Sequence, residues 1–273
     1  LRTNKRIDTE CKITFIDGMT FDDIEKTINE NQNFSAQRVQ IEEGTIFPET
    51  YCFKVGCKRS TIIKIAQELM NAKIEKLWTD LEMHAKKCDI QLPLNKKEFL
   101  ILASIIQKEG VTREDMSQIA GCFLTRLQQH IRLHSCATVL YGMKKAGYKI
   151  YKRDDIPIVL LKDTKIKTPY NTYLLDRLPI GPICIPGNDA LEALAQTLHD
   201  GMDNAVVTAS EKKLEGKLSK KLQYKAPLYF YACNGKIIYA KTLEAHNRNK
   251  YRCNIELLKQ AKTKKSGKKI EGK

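Results

Sequence analysis

The sequence has no apolar stretch that is long enough to cross a bilayer. Its longest, Phe99–Ile106, is far shorter than the roughly 20 residues that a membrane-spanning helix needs. It also has no secretory signal peptide. Because the chain begins at Leu1 and not at a methionine, we expect that an N-terminal piece, which would carry any membrane anchor, has been removed.

The glycine and serine signatures of several large enzyme classes are missing as well. There is no Walker-type phosphate loop, no GxGxxG and no GxSxG, so nucleotide-dependent enzymes and α/β serine hydrolases have no support. The nine cysteines include no CxxC pair, which excludes a zinc ribbon and a thioredoxin-like site. Their usage argues mildly against a strongly oxidising location, and we expect most of them to be small buried residues.

One group of residues has the composition of a metal site. His130 and His134 are four residues apart in a predicted helix, and Cys136 is nearby. No fourth ligand is evident, and His134 lies near the predicted end of the helix. We therefore predict no metal and no cofactor.

Basic residues outnumber acidic ones by 47 to 32, which gives a formal net charge of +15. Part of this excess lies in a lysine-rich C-terminal run, and we predict a basic disordered tail over residues 261–273. A basic surface favours nucleic acid, anionic lipid headgroups or an acidic polymer, and charge alone does not choose among them. Because the tail lacks interleaved aromatic residues, we expect no nucleic-acid partner.

The order of helical and strand-like segments predicts an α+β fold. Thr20, Asn95 and Thr112 stand where they would cap helices. Six helices are predicted. Two of them begin after Thr20 and after Thr112, and the other four cover Ser60 to about Cys88, Lys96–Lys108, Ala190–Leu198 and Leu243–Lys259. The predicted strands are residues 12–18 and 156–161 and a hairpin of Leu228–Ala232 with Lys236–Ala240 around Asn234-Gly235. Residues 168–188 are predicted to form an ordered loop and the lysine-rich residues 203–225 an insertion or flexible hairpin.

Glu109 is the acidic residue whose surroundings differ most from water. It ends the most apolar predicted helix and shares a face with Leu102 and Ile105. A carboxyl in an apolar niche keeps its proton to higher pH, as a general acid must. Gly110 can end the helix and leave space beside the carboxyl. On the pattern alone, a helix-terminal glutamate that points into water is the alternative.

A second group combines an amide, a hydroxyl and aromatic rings. It consists of Tyr170, Asn171, Thr172 and Tyr173. Hydrogen bonds from amides and hydroxyls, with apolar stacking on aromatic faces, are the usual means of holding a sugar. An ordinary polar turn is the alternative that the pattern leaves open.

Five ordered motifs resemble the YceG-like family of endolytic murein transglycosylases. Their order and spacing hold from about residue 12 to residue 250. The motifs are Glu43–Tyr51 with Phe53; Leu102–Glu109; Ile119–Leu127 with Leu133–Gly142; Pro169–Tyr173 with Leu178–Gly187; and Leu228–Phe230 with Thr242 and His246–Asn247.

The resemblance implies an enzyme, a peptidoglycan lytic transglycosylase that cuts the MurNAc–GlcNAc bond of nascent glycan strands and leaves 1,6-anhydro-MurNAc ends. The family's catalytic glutamate falls in the second motif. We assign it to Glu109, because Gln107, the alternative alignment, cannot shuttle a proton. The implied substrate-binding residues are Tyr170, Asn171, Thr172, Tyr173, Ser135, Thr138, His246 and Asn247.

The resemblance also implies a setting. Residues 1–37 would be part of a small LysM-like α/β subdomain, residues 38–260 the mixed helical catalytic domain with short strands and a hairpin, and residues 261–273 the tail. A lost N-terminal anchor would place the protein as a single-pass protein of the bacterial inner membrane. Its catalytic domain would face the periplasm or cell exterior, with glycan strands and cell-wall synthases as partners.

The sequence departs from the family at three places. His134 stands where glutamine is common, Cys136-Ala137 where Asp-Pro is frequent, and Ile237 where a histidine often occurs. These departures leave open an alternative, a catalytically degenerate glycan-binding scaffold of the cell-wall synthesis machinery.

Overall fold

The computed structural model describes residues 10–35, 41–207, 220–224, 226–233, 236–253 and 255, and it has the predicted α+β fold. The helices are α1 (Phe21–Glu30), α2 (Arg59–Cys88), α3 (Lys96–Glu109), α4 (Arg113–Gln128), α5 (Cys136–Lys145), α6 (Asn188–Asp203) and α7 (243–253). The strands are β1 (Glu10–Thr14), β2 (Thr50–Lys54), β3 (Tyr151–Arg153), β4 (Ile156–Ile158), β5 (Val206–Val207), β6 (Lys220–Lys221), β7 (Tyr229–Cys233) and β8 (Lys236–Ala240). They form four antiparallel pairs.

The N-terminal layer is a two-stranded sheet covered by α1. β1 pairs with β2 so that Cys11 lies opposite Phe53, and Thr20 caps α1 as predicted, in a capping box with Asp23. A small apolar core joins Phe15 and Ile24 to Ile185 of the later loop. β2 lies on the far side of the division predicted at residue 37, and that division stays a prediction.

The main core is built around α3, which is buried on most sides as its composition predicts. Phe99, Leu102 and Ile106 have no exposed surface. Asn95 caps the helix with Glu98 in a reciprocal capping box, which stabilises the end opposite Glu109. Among the helices that the structure describes, none is both long and apolar enough to cross a membrane.

α2 and α6 lie side by side and run in the same direction. Three contacts join them at one constant sequence separation: Lys73 with Glu192, Asp80 with His199, and His84 with Asp203, each 119 residues apart. Because the offset does not change over three turns, the two helices are parallel and in register, and they end close together.

The irregular segment between α5 and α6 is anchored to α3. The Ile183 amide donates to Ser104 Oγ at 3.1 Å, and the Cys184 thiol donates to the Ser104 carbonyl at 3.2 Å. Gln107 Oε1 accepts from the Gly187 amide at 2.8 Å. The loop predicted for residues 168–188 is therefore ordered because polar atoms of one buried helix hold it.

The C-terminal elements form a hairpin and a helix on the side of α4. β7 and β8 pair with Phe230 opposite Tyr239, as predicted, while Asn234 and Gly235 lie outside the described residues. A disulfide joins Cys233 at the end of β7 to Cys253 in α7. β5 pairs with β6 at the base of the lysine-rich segment, and residues 208–219 and the predicted tail at 261–273 lie outside the described residues.

We predict that Gly44→Ala destabilises the fold more than Gly56→Ala does. Both glycines have left-handed φ angles, +80° and +81°, so an alanine costs each about 1–2 kcal/mol. A Cβ at Gly44 would also lie 2.6 Å from Pro182 Cβ, whereas one at Gly56 meets no atom within 4 Å. This overpacking adds about 1–3 kcal/mol. Urea midpoints of the two variants measure the difference, and equal midpoints would contradict it.

Candidate active site

The carboxyl group of Glu109 lies between the end of α3 and the start of α5. Glu109 is the last residue of α3, and its Oε1 accepts a hydrogen bond of 2.5 Å from Ser135 Oγ. The backbone of Ala137 also hydrogen-bonds to the carboxylate. Since Ser135 is the N-cap of α5, the carboxylate occupies the N-terminus of that helix, where backbone amides favour negative charge.

Opposing effects set the pKa of Glu109. Burial, the largest of them, raises the pKa because it removes water from the charged form. The bonds from Ser135 and Ala137 and the charge of Arg126 lower it, and the net result is a pKa above the ordinary value. Part of the residue's surface stays accessible. The carboxyl can therefore hold a proton at higher pH than most glutamates.

Ser135 is held in place by two buried hydroxyl groups. Its amide donates to Thr172 Oγ1 at 3.0 Å, and its carbonyl accepts from Thr138 Oγ1 at 2.8 Å. The two threonine oxygens lie 2.8 Å apart. With its backbone fixed, Ser135 directs its hydroxyl to Glu109 and leaves its own helix without a side-chain cap.

The side chain of Asn171 forms its hydrogen bonds with the backbone of its own loop. Its Nδ2 donates to the carbonyls of Thr164 and Ile166, at 3.0 and 2.7 Å, and its Oδ1 accepts from the Tyr173 amide at 3.0 Å. Only 1% of its surface is exposed. Asn171, like Thr138 and Thr172, therefore supports the residues beside Glu109 through contacts within the protein.

Tyr173 forms an aromatic wall beside the carboxyl. Its ring stacks on His134 with the centroids 4.8 Å apart and an angle of 21° between the planes. Its hydroxyl lies 3.4 Å from Cys136 Sγ. Burial raises the pKa of Tyr173, and the nearby Glu109 raises it further. Two of the departures from the family, His134 and Cys136, thus contact the same tyrosine at the site.

Tyr170 belongs to a neighbouring cluster. Its ring packs edge-on against Tyr141, with the centroids 4.7 Å apart. The Tyr141 hydroxyl donates to Glu43 Oε2 at 2.7 Å, and Glu43 also accepts from the Phe21 amide at 2.9 Å. Burial raises the pKa of Glu43. These contacts join α1 to α5 on the side of the loop that faces the N-terminal layer.

Arg126 links the carboxyl site to the hairpin, a role that the sequence pattern did not assign. It is 7% exposed; Nη1 donates to the Leu133 carbonyl at 2.7 Å, and Nε donates to the Leu228 carbonyl at 2.9 Å. Its guanidinium also lies 5.3 Å from the ring centroid of Tyr229. The available signal was an arginine within the apolar periodicity of α4, because a buried charge requires partners.

His246 lies in α7, between two tyrosines of β7. Its ring centroid is 5.6 Å from that of Tyr229 and 5.8 Å from that of Tyr231. Burial and the charge of Lys250 lower the pKa of His246, and its buried Nδ1 has no hydrogen-bond partner among the described residues. Its neighbour Asn247 is exposed.

Two local expectations were wrong. His130 and His134 are not on one helix, because α4 ends at Gln128 and both histidines have left-handed φ angles of 56° and 52°. The one-turn helical spacing that suggested a shared ion is therefore absent from these two residues. Gly110 does end α3, but it leaves no space: a Cβ there would lie 2.5 Å from Met116 Cγ, so the glycine allows close packing of α4.

The comparisons with known proteins agree with the fold and the motifs. The profile of the YceG-like family matches residues 1–202. The chain is 32% identical over 210 residues to an endolytic murein transglycosylase of Streptococcus pneumoniae and 31% identical to one of Bacillus subtilis, in each case over 76% of its own length. It spans only 31% and 47% of those relatives. A crystal structure of a yceG-like protein from Listeria monocytogenes superposes with a TM-score of 0.62 and 25% identity, covering 87% of this chain and 75% of that one.

We predict that Glu109→Gln stabilises the protein at neutral pH. The wild-type carboxyl has a raised pKa in the folded state, so its ionisation disfavours folding as pH rises above about 4.3, the value for an unfolded glutamate. Glutamine removes this cost. The melting temperature of the variant should exceed that of the wild type by an amount that grows from about pH 4 to neutral pH. Glu25→Gln on the exposed face of α1 controls for the lost charge. A constant difference would contradict the prediction.

We also predict that Arg126→Lys loosens the hairpin. Lysine keeps the charge but lacks the planar fork that reaches the Leu133 and Leu228 carbonyls together. Amide hydrogen exchange of β7 should become about tenfold faster, as loss of roughly 1.4 kcal/mol of local stability implies. Arg113→Lys, at a half-exposed ion pair with Glu192, is the matched control. Unchanged exchange in β7 would show that Arg126 does not hold the hairpin.

Proposed function

The chain belongs to the YceG-like family, and from that membership we propose that it is a murein lytic transglycosylase with Glu109 as its acid and base. One observation carries the assignment. The Glu109 carboxyl is desolvated enough to raise its pKa and is held by Ser135, and the residue that carries it keeps part of its surface exposed. These are the requirements for a group that first gives and then takes a proton.

The reaction needs one carboxyl group. Protonated Glu109 gives its proton to the glycosidic oxygen between MurNAc and GlcNAc, and the bond from that oxygen to the anomeric carbon breaks. The carboxylate then removes the proton of the MurNAc C6 hydroxyl, whose oxygen bonds to the anomeric carbon. The products are a 1,6-anhydro-MurNAc end and a GlcNAc with a free hydroxyl. The sugar supplies the nucleophile, so no second carboxylate is required, in contrast to two-carboxylate glycosidases.

The contacts of Gln107 support the choice of Glu109. Gln107 accepts from the Gly187 amide and so holds the loop that leads into α6, whereas Glu109 accepts from Ser135 at the start of α5. The two side chains serve different segments. The proton-transfer role is therefore assigned to the residue that can ionise and that lies next to the aromatic wall of Tyr173.

The other site residues divide into two roles in this proposal. Asn171, Thr172 and Thr138 are buried and position the site through their hydrogen bonds within the protein. Tyr173 and Ser135 lie beside the carboxyl. Direct contact with sugar is proposed for Tyr170, Tyr173, His246 and Asn247, whereas the buried Ser135 acts through its hydrogen bond to Glu109.

The proposed setting is supported by the family and by the charge. We propose glycan strands as the substrate, with cell-wall synthases as partners that deliver nascent strands. A single-pass anchor that precedes the chain would hold it at the outer face of the bacterial inner membrane. The net charge of +15 suits a position near anionic lipid headgroups. Residues 1–37 would belong to a LysM-like piece and residues 261–273 to a basic tail.

We predict that Glu109→Gln abolishes lytic activity. The chain is incubated with purified murein glycan strands, and products are identified by mass spectrometry. Wild-type protein should release fragments with 1,6-anhydro-MurNAc ends, and the variant should release at least about 100-fold less, the usual contribution of an acid–base group. The double change Glu109→Gln with Gln107→Glu should not restore activity, because position 107 faces Gly187.

The outcomes separate the proposed enzyme from the scaffold. Undiminished release by Glu109→Gln, or rescue by glutamate at 107, would overturn the assignment of the acid. Wild-type protein that binds the strands but releases no anhydro products would establish the glycan-binding scaffold instead. Reducing-end products without the anhydro bridge would indicate hydrolysis.

A further inference from the structure

A second group of chemically active side chains lies where α2 and α6 end together. His84 and Cys88 belong to the last two turns of α2, and Asp203 is the last residue of α6. We propose that His84 Nε2, Cys88 Sγ and Asp203 bind a zinc ion that joins the two helices. This site is independent of Glu109 and of the proposed transglycosylase activity.

The three ligand atoms already converge. Nε2 of His84 lies 2.9 Å from Asp203 Oδ1 and 3.6 Å from Cys88 Sγ, and all three atoms are within 4.8 Å of one another. Zinc bonds of about 2.0–2.3 Å place two ligands of a tetrahedral ion about 3.3–3.8 Å apart. The His84–Asp203 pair would open by a few tenths of an ångström, and Cys88 Sγ and the Asp203 carboxylate, within 4.8 Å of each other, would move into the same range; the exposed Asp203 side chain permits both.

The chemistry of the set selects zinc. One imidazole, one thiolate and one carboxylate combine the ligand types that Zn²⁺ prefers, whereas Mg²⁺ and Ca²⁺ require oxygen ligands. A neutral ring nitrogen can accept or donate only once, yet His84 Nε2 is within reach of both a carboxylate and a thiol. A single cation between the three satisfies all of them, with water in the fourth position.

The surroundings favour a positive ion. Both helices direct their carbonyl ends toward the cluster, and the partial negative charge at a helix C-terminus attracts cations. The ring centroid of a second histidine, His199, lies 4.6 Å from that of His84. His199 Nε2 lies 2.9 Å from Asp80 Oδ2, so a second His–carboxylate pair packs against the proposed site. Lys86 and Lys87 in the last turn of α2 are exposed to solvent, where their charges are screened.

The sequence shows the proposed zinc site only as two separate histidine motifs. His84-x-x-x-Cys88 and His199-x-x-x-Asp203 each place two ligand types one helical turn apart, but 119 residues separate His84 from Asp203. The in-register, parallel packing of α2 and α6 brings them together. Gln107 holds the loop that leads into the start of α6. An ion bound at Asp203 would fix the other end of α6.

Metal binding to the metal-free protein, with its Cys233–Cys253 disulfide intact, tests the proposal. Titration with Co²⁺, used as a spectroscopic substitute for Zn²⁺, should give the near-ultraviolet charge-transfer band of a cobalt thiolate, and Zn²⁺ should displace it. Zn²⁺ should also raise the melting temperature, because it binds the folded state. Cys88→Ser should abolish the band, and Asp203→Asn should weaken binding by at least about tenfold.

The chain offers one matched control for the thiol and one for the carboxylate. Cys52→Ser removes an exposed thiol of β2, and Asp200→Asn removes an exposed carboxylate one turn before Asp203. Both variants should bind cobalt as the wild type does. The proposal is overturned if no thiolate band forms, if Cys88→Ser retains it, or if the control changes weaken binding as much. Should Cys88→Ser fail to fold, the exposed Asp203→Asn variant alone decides by its affinity relative to Asp200→Asn. Murein cleavage is measured separately, so failure of either proposal leaves the other standing.

Discussion

The hydrogen bond from Ser135 to Glu109 joins the C-terminus of a buried helix to the N-terminus of another, and the rest of the site is arranged around it. α3 supplies the apolar surroundings that raise the pKa of the carboxyl. The start of α5 supplies hydrogen-bond donors that stabilise the charged form of the carboxyl. The balance leaves an acid that can also act as a base. Burial alone would give a group that never ionises, and donors alone a permanent carboxylate.

The loops near this bond are positioned by polar atoms of the buried helices. Thr138 and Thr172 fix the backbone of Ser135, and Arg126 holds the chain just before it while reaching the hairpin. Ser104 and Gln107, on α3 itself, hold the segment that returns to α6. One helix thus carries the carboxyl and also anchors loops that border it, so displacement of α3 would disturb every part of the site together.

Several features that depend on nearby residues were predicted from the sequence, whereas α5, β3 and the contacts between distant residues were not. The caps at Thr20, Asn95 and Thr112 use partners three residues away, and the hairpin follows from its turn, so both are visible in the sequence. The partners of Arg126 lie up to 102 residues away, and the cluster at His84 spans 119. For His130 and His134 the prediction was wrong in the opposite sense: their helical spacing predicted that they share a helix, but α4 ends at Gln128. Packing between distant segments, and not spacing along the chain, decides which side chains meet.

Glu109 carries a carboxyl that keeps its proton to higher pH than an ordinary glutamate does. The most direct measurement is a carbon-13 NMR titration of the glutamate carboxyl signals, with the Glu109 signal assigned by its loss in Glu109→Gln. We expect that signal to titrate above about 4.3, the usual glutamate value. A Glu109 signal that titrates at or below that value would contradict the central claim.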